Sequence, residues 1–341
     1  MSTSGGTRAI IAALLANIGI AVTKFIAFLL TGSSSMLAES IHSVADSGNQ
    51  GLLLVGGKRA AREATPQHPF GFGRERYIYA FIVAIVLFSV GGLFALYEGY
   101  HKLTHPEPIV AWRWVPVLVL VVAIGLETFS FRTAIEESNH VRKPDESWLN
   151  FIRHAKAPEL PVVLLEDLGA LVGLVLALFG VGMTLITDNG VWDGVGTICI
   201  GVLLVTIAFI LAIETKSLVL GEAGSPEDVA KIEKALAGEP LVDRIIHMKT
   251  LHLGPEELLV AAKIAVRGTS TITDVVRAID AAELRIREVV PIARVIFLEP
   301  DIDRVAAQDG SVGSTGSSGS AGSSGSSEAV DGTGGAHAVR P

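Results

Sequence analysis

Four polar residues whose side chains bind metals or form hydrogen bonds recur at helical spacing in the second apolar block. They are Glu39, His42, Asp46 and Asn49. Steps of three and four residues place all four on one face of an α-helix, with His42 and Asp46 about one turn apart. A charged group at the middle of a membrane-spanning helix costs roughly 2.5–3.5 kcal/mol, so such residues are candidates for a functional site.

Two adjacent acids, Glu166 and Asp167, interrupt the fifth apolar block. Together with a carboxylate and an imidazole from the second block, they can build a tetrahedral site of nitrogen and oxygen ligands. Such a site suits Zn²⁺, and also Mn²⁺, Fe²⁺ or Co²⁺. The alternative is that these polar groups only hydrogen-bond to one another between helices. No intramembrane arginine neutralises the acids, and Lys24 can offset only one of them, so the pattern favours a bound cation.

The elements that must position these groups are membrane helices. The chain has 341 residues, of which 18% are charged, and a mean hydropathy of +0.50. An ordinary soluble domain has about 25% charged residues, so the composition argues against a soluble enzyme. The apolar residues form six blocks of about the length that crosses a bilayer. These are Thr7–Leu30, Met36–Val55, Tyr77–Tyr97, Trp114–Phe131, Leu160–Leu185 and Val191–Ile213, within a predicted membrane domain over residues 7–215.

The positive charges of the loops predict the orientation of these helices. Lys and Arg are concentrated after the second and fourth blocks and are absent after the first and fifth. We therefore expect an integral, multi-pass protein of a bacterial cytoplasmic membrane, with both termini in the cytoplasm. The net charge of −8 disfavours nucleic acid as a partner.

A small cytoplasmic domain is predicted over residues 225–300. Ser225 and Pro226 open a helix that ends near Gly238. Two strand-like runs, a helix and a last strand follow; they are Val242–Leu253, Leu258–Val266, Ile272–Val289 and Ala293–Leu298. The order αββαβ describes a two-layer α+β domain of marginal size, which dimerisation would stabilise. Residues 306–341 are rich in Gly and Ser, and we predict a disordered tail there.

Four features resemble the cation diffusion facilitator family of divalent-metal/proton antiporters. They are the pair His42-x-x-x-Asp46, the loop His68-Pro69-Phe70-Gly71-Phe72-Gly73-Arg74-Glu75, the acid Asp167, and Trp192-Asp193-Gly194 before the α+β domain. Glu127 and the run Leu165-Glu166-Asp167 make the chain most similar to the branch with mitochondrial zinc-transporter-like members.

The resemblance implies a secondary transporter that exports a divalent metal ion from the cytoplasm in exchange for protons. It implies a homodimer joined through the cytoplasmic domains, with the metal as transported substrate and no other cofactor. A membrane-embedded metalloenzyme and a metal sensor are the alternatives. No His-Glu-x-x-His motif and no kinase, nucleotide-binding or DNA-binding signature favours either alternative.

The predicted ligands are His42, Asp46, Glu166 and Asp167. The sequence departs from the family pattern at Val163, where most members have a metal ligand four residues before the aspartate. Glu166 is the first candidate to replace that ligand, and Glu39 is the second. Because a carboxylate then replaces a nitrogen ligand, zinc selectivity does not follow from the resemblance.

Further residues are candidates for accessory roles. Asn49 and Glu127 lie in the membrane blocks, while His68 and His247 correspond to positions of accessory metal sites in some relatives. The usual metal-binding partners of the last strand are replaced by Phe297-Leu298-Glu299, so a full binuclear site is not expected beside His247.

Overall fold

Long helices make up the first two thirds of the chain. The structure, a computed structural model, describes residues 3–106, 109, 112–267 and 270–301, with side chains from residue 17 onward. The helices in this part are α1 (Thr3–Thr31), α2 (Ser34–Ala60), α3 (Glu75–Val86), α4 (Phe94–Thr104), α5 (Val115–Val141), α6 (Trp148–His154), α7 (Glu159–Thr187) and α8 (Val191–Leu220). A π-helical segment, Leu87–Leu93, joins α3 to α4 without a break.

A helical, membrane-type domain is thereby confirmed. Among the described residues, four helices are long and apolar enough to cross a membrane, namely Glu75–Thr104, Val115–Val141, Glu159–Thr187 and Val191–Leu220. The part of α1 whose side chains are described adds a shorter apolar stretch, Asn17–Thr31. Helix α2 is not among the four because its polar stripe lowers its apolar content. Six spans therefore remain a prediction.

Several helix ends differ from the sequence prediction. Helix α5 continues ten residues past the predicted end at Phe131, through a polar segment that ends at Val141. The short helix α6 was not predicted; its N-cap is Ser147, whose hydroxyl accepts a hydrogen bond from the amide of Asn150. Hydropathy alone locates apolar residues, and it does not detect a helix that continues beyond them.

Glycines allow α8 to pack closely against its neighbours. A Cβ atom added at Gly99 of α4 would lie 2.8 Å from the backbone nitrogen of Ile198 and 3.1 Å from the carbonyl oxygen of Gly194. Only a residue without a side chain fits this contact between two backbones. The close approach holds the third apolar segment against α8, and α8 packs in turn against α7.

The start of α2 is held by an acid of α8. The carboxylate of Asp193, which is fully buried, accepts hydrogen bonds from the backbone amides of Ser34 (2.7 Å) and Ser35 (3.2 Å). It also accepts one from the hydroxyl of Ser33 (2.9 Å). A negative charge at a helix N-terminus satisfies free amides and is favoured by the helix dipole. Asp193 therefore fixes the end of the helix that carries His42 and Asp46.

We expect Asp193→Ala to lower the free energy of unfolding by about 2 kcal/mol, the upper range for loss of a helix cap. The variant leaves two buried amides of α2 without an acceptor. Asp193→Asn keeps one acceptor oxygen and should lose less. Denaturation in mixed detergent micelles, followed by circular dichroism, measures both. Equal stability of the alanine variant and the unaltered protein would contradict the assigned role.

The C-terminal domain is a three-stranded sheet covered by two helices. Its elements are α9 (Pro226–Ala237), β1 (Val242–Gly254), β2 (Glu257–Val266), α10 (Ile272–Val289) and β3 (Val295–Asp301), which confirms the small sheet domain and the predicted element order. The sheet order is β1-β2-β3, with β1 antiparallel and β3 parallel to β2. Ser225 caps α9 as predicted, and Thr271 with Asp274 forms a capping box on α10.

The sheet domain contacts the loop that connects α2 to α3. A Cβ atom at Gly73 would lie 2.7 Å from the carbonyl oxygen of Leu253, and one at Gly254 would lie 2.9 Å from the Cα of Gly73. The guanidinium of Arg76 is 2.9 Å from a carboxylate oxygen of Glu159 and 3.7 Å from one of Glu256. The α2–α3 loop thus joins both parts of the molecule.

Residues 306–341, for which we predicted a disordered tail, lie outside the described residues.

Candidate metal centre

The polar stripe of α2 faces the interior of the helical domain. Glu39, His42 and Asn49 are fully buried, and the side chain of Asp46 is 13% exposed. Their spacing of three and four residues puts them on the side of α2 that packs against α1 and α7. The sequence pattern therefore identified the buried face of this helix.

His42 and Asp46 have buried atoms that are not hydrogen-bonded. The Nδ1 atom of His42 lies 3.4 Å from Oδ1 of Asp46, yet their geometry does not form a hydrogen bond. Within the described residues, neither ring nitrogen of His42 has a hydrogen-bond partner, nor does Oδ1 of Asp46. Buried polar atoms are nearly always paired in folded proteins, and unpaired ones point to a role other than packing.

Glu166 and Asp167 of α7 turn toward two different helices. Oε1 of Glu166 accepts a hydrogen bond of 2.7 Å from the amide of Asn49 on α2. Oδ2 of Asp167 accepts one of 3.0 Å from the hydroxyl of Ser130 on α5. Adjacent residues of a helix diverge by about 100°, which accounts for the two directions. The two acids thus link α7 to α2 and to α5.

The four predicted ligands face one another only in part. His42 and Asp46 are in contact, Glu166 and Asp167 lie on the adjacent helix α7, and Glu127 lies on α5. In the part of the chain that the structure describes, however, no three His, Cys, Asp or Glu side chains are grouped closely enough to hold a metal ion. The ligand set therefore remains a prediction.

Glu39 is paired with a lysine. The ammonium of Lys24 on α1 lies 3.1 Å from Oε2 of Glu39 and donates to the hydroxyl of Ser43 at 2.9 Å. Lys24 and Glu39 are both fully buried. A Cβ atom at Gly173 would lie 2.7 Å from Oε1 of Glu39, so this glycine provides the space for the carboxylate. This pair agrees with the prediction that Lys24 offsets one of the buried acids. Among the described contacts, Asp46, Glu166 and Asp167 have no lysine partner.

The accessory candidates lie in three places. Asn49 contacts Glu166, and Glu127 is half-buried on α5, one turn before Ser130. His68 is exposed in the α2–α3 loop, where its ring packs 4.7 Å from that of Phe72. His247 is exposed on β1. The two histidines therefore lie outside the interior of the helical domain.

Two residues have roles in the structure that were not predicted from the sequence. Ser130 binds Asp167, and its position three residues after Glu127 on the same face of α5 could have indicated it. Asp193 is part of a family motif, and the three consecutive serines at the start of α2 offer donors that require an acceptor. Both residues support the helices that carry the candidate ligands.

Comparison with known protein families and relatives gives consistent results. The family model of the cation efflux transmembrane domain matches residues 10–220. The human protein named proton-coupled zinc antiporter SLC30A9, mitochondrial, is 34% identical over 233 residues, which are 68% of this chain and 41% of the relative.

Two further relatives come from a plant and a bacterium. Metal tolerance protein C4 of Arabidopsis thaliana is 28% identical over 262 residues, which are 76% of this chain and 57% of the relative. Zinc transporter ZitB of Pectobacterium atrosepticum is 28% identical over 120 residues, or 35% of this chain and 36% of the relative. The chain thus matches less than two thirds of the length of each relative. Because the family model covers well over half of the chain, from the first helix to the end of α8, this protein belongs to the cation efflux family.

Proposed function

We propose that this protein is a secondary transporter that exports a divalent metal cation, with Zn²⁺ as the first candidate, in exchange for protons. The observation that carries the proposal is the buried pair of His42 and Asp46, whose free nitrogen and oxygen atoms can bind a cation. The family supports cation transport, and the names of the human and bacterial relatives support zinc. Proton coupling is supported by the name of the human relative.

The proposed ligands are His42, Asp46, Glu166 and Asp167. Glu166 is a better fourth ligand than Glu39 because the carboxylate of Glu39 is bound to Lys24. The hydrogen bonds from Asn49 to Glu166 and from Ser130 to Asp167 are of the kind that orients metal ligands. In each case one carboxylate oxygen accepts the hydrogen bond, which leaves the second oxygen for the ion.

Metal binding and proton binding compete for these groups. A neutral imidazole and ionised carboxylates bind the ion, and protonation of the same atoms releases it. A helical domain that exposes the site alternately to the two sides of the membrane then exchanges metal for protons. The scheme needs no covalent chemistry, and it fits a transporter rather than an enzyme or a sensor.

Two amide substitutions test the role of the adjacent acids. We expect Glu166→Gln and Asp167→Asn each to weaken metal binding by at least tenfold, the lower range for loss of one ligand or its support. Isothermal titration with Zn²⁺ on the detergent-purified protein measures both, with Asn150→Ala on exposed α6 as a control. A harmless Glu166→Gln combined with a damaging Glu39→Gln would reject Glu166 as the fourth ligand.

The proposed topology has six membrane helices within residues 7–215 and both termini on the side of the positively charged loops. The strongly basic loops after α2 and α5 support this orientation. The relatives include a mitochondrial and a bacterial protein. Location in a bacterial cytoplasmic membrane therefore remains a prediction.

The sheet domain, over residues 225–300, is the proposed site of homodimerisation. A domain of this size gains stability from a second copy. We expect a chain that ends before Ser225 to dimerise at least tenfold more weakly, and a chain that ends before Ala306 to dimerise normally. Light scattering of both truncated proteins tests this. A monomer produced by removal of the Gly/Ser-rich segment alone would contradict the assignment.

Flux through proteoliposomes tests the function as a whole. Purified protein is reconstituted with a metal-sensitive dye and a pH-sensitive dye inside. Uptake of Zn²⁺, Mn²⁺, Fe²⁺ and Co²⁺ is then compared with and without a proton gradient. We expect metal to enter while protons leave. A protein that moves none of these ions would reject transport, and metal flux that ignores the gradient would reject proton exchange.

A further inference from the structure

Two histidines meet at the end of the helical domain that lies away from the sheet domain. His101 is in the last turn of α4, and His105 follows that helix as its C-cap residue. The centroids of their rings are 5.1 Å apart, and the ring planes meet at 25°. Residues four apart on a helix lie above one another, and a His pair at this spacing can bind one metal ion through both rings.

The neighbouring Lys102 determines on which side of the helix turn the two histidines lie. Lys102 is buried and donates a hydrogen bond of 3.2 Å to the carbonyl oxygen of Gly32, at the start of the segment that leads into α2. With Lys102 directed inward, His101 and His105 are exposed on the outer side of the turn. The pair is therefore held on an anchored segment and remains accessible to ions.

Aromatic residues place the pair at the edge of the membrane. Tyr97 and Tyr100 precede it on α4 and are about two thirds exposed. Exposed tyrosines are concentrated where a membrane protein passes from lipid to water. His101 and His105 follow these tyrosines in the direction of water.

A threonine defines which nitrogen of His105 is free. The hydroxyl of Thr104 donates to the carbonyl oxygens of His101 (2.9 Å) and Tyr100 (3.2 Å). Nδ1 of His105 lies 3.0 Å from the same hydroxyl. In the tautomer of His105 that carries its proton on Nδ1, this N–H donates to the hydroxyl oxygen while the hydroxyl proton is donated to a carbonyl. The lone pair is then on Nε2, and a hydrogen bond on the other ring nitrogen is the usual arrangement of a metal-binding histidine.

We propose that His101 and His105 form a two-imidazole binding site for a divalent transition-metal ion, separate from the site in the interior of the domain. Imidazole suits Cu²⁺, Ni²⁺ and Zn²⁺, with Cu²⁺ bound most tightly. Glu98, one turn earlier, does not complete the site, since its Oε1 accepts a hydrogen bond of 2.8 Å from Ser34. Because the protein supplies only two ligands, the remaining coordination positions of the ion stay open to water and other exchangeable ligands. If the proposed export is correct, this site lies on the side where the ion is released.

A copper chelate provides a direct test on the full-length protein in detergent. Cu²⁺–iminodiacetate leaves coordination positions for two imidazoles and is too bulky for the buried interior site. Electron paramagnetic resonance should show one bound chelate per chain, and the modulation of the electron spin echo should come from the nitrogens of two coordinated imidazoles. Zn²⁺ should displace it. Modulation from a single imidazole would overturn the proposal.

Matched variants separate this site from other histidines and from the proposed transport site. His101→Asn and His105→Asn should each weaken chelate binding at least tenfold. His140→Asn and His154→Asn, which alter exposed histidines on other helices, should leave binding unchanged. Asp46→Ala should also leave binding unchanged, even if it abolishes transport. Unaltered binding in either His101→Asn or His105→Asn would overturn the proposal, whatever the result for transport.

Discussion

Metal transport by the Asp46→Ala protein is expected to fall to the background of empty liposomes. Asp46 is the carboxylate closest to His42, at 3.4 Å, and its Oδ1 is buried without a hydrogen-bond partner among the described residues. The substitution removes a charged ligand from α2. The other acid on this stripe, Glu39, cannot replace it because Lys24 already binds its carboxylate.

The test of Asp46 requires evidence that the altered protein still folds. Asp46→Asn keeps the volume of the side chain and removes only its charge, so it should lose transport as well. Asp145→Ala, at an exposed position between α5 and α6, should transport normally. Reconstituted protein is quantified, and the flux of Zn²⁺ is measured per molecule. Normal flux from well-folded Asp46→Ala protein would reject the proposed site.

Lys24→Gln is expected to lower the free energy of unfolding by about 3–5 kcal/mol, the usual cost of removing one partner of a buried ion pair. The ammonium of Lys24 contacts both Glu39 and Ser43 of α2, and neither charged group of the ion pair is accessible to solvent. Its loss leaves an uncompensated carboxylate in the interior, whose Oε1 already has no hydrogen-bond partner among the described residues.

A double substitution separates the ion pair from other effects of Lys24. Lys24→Met combined with Glu39→Met removes both charges, and such apolar replacements are often neutral or stabilising. We therefore expect the double variant to recover most of the lost stability. Lys58→Gln, which alters an exposed lysine near the end of α2, is the control. Denaturation in mixed micelles measures all three, and a double variant as unstable as Lys24→Gln would contradict the ion-pair explanation.

The sequence determined the properties that depend on neighbours along the chain. The spacing of Glu39, His42, Asp46 and Asn49 identified the buried stripe of α2, because a helix repeats every 3.6 residues whatever packs against it. The start of α9 followed from local capping by Ser225, and the amphipathic pattern placed α10 at Ile272–Val289. Periodicity does not predict where α5 ends or that a π-helical segment interrupts the third apolar block.

The tertiary structure decided which partner each polar group has. Glu166 and Asp167 are adjacent in the sequence, yet one binds Asn49 of α2 and the other binds Ser130 of α5. Asp193 caps a helix that begins 159 residues earlier in the chain. A sequence specifies the face of a helix on which a side chain lies, but its partner depends on the rotation and neighbours of that helix. Those are set when all the helices pack together, since each buried polar group must then find a donor or acceptor within about 3 Å.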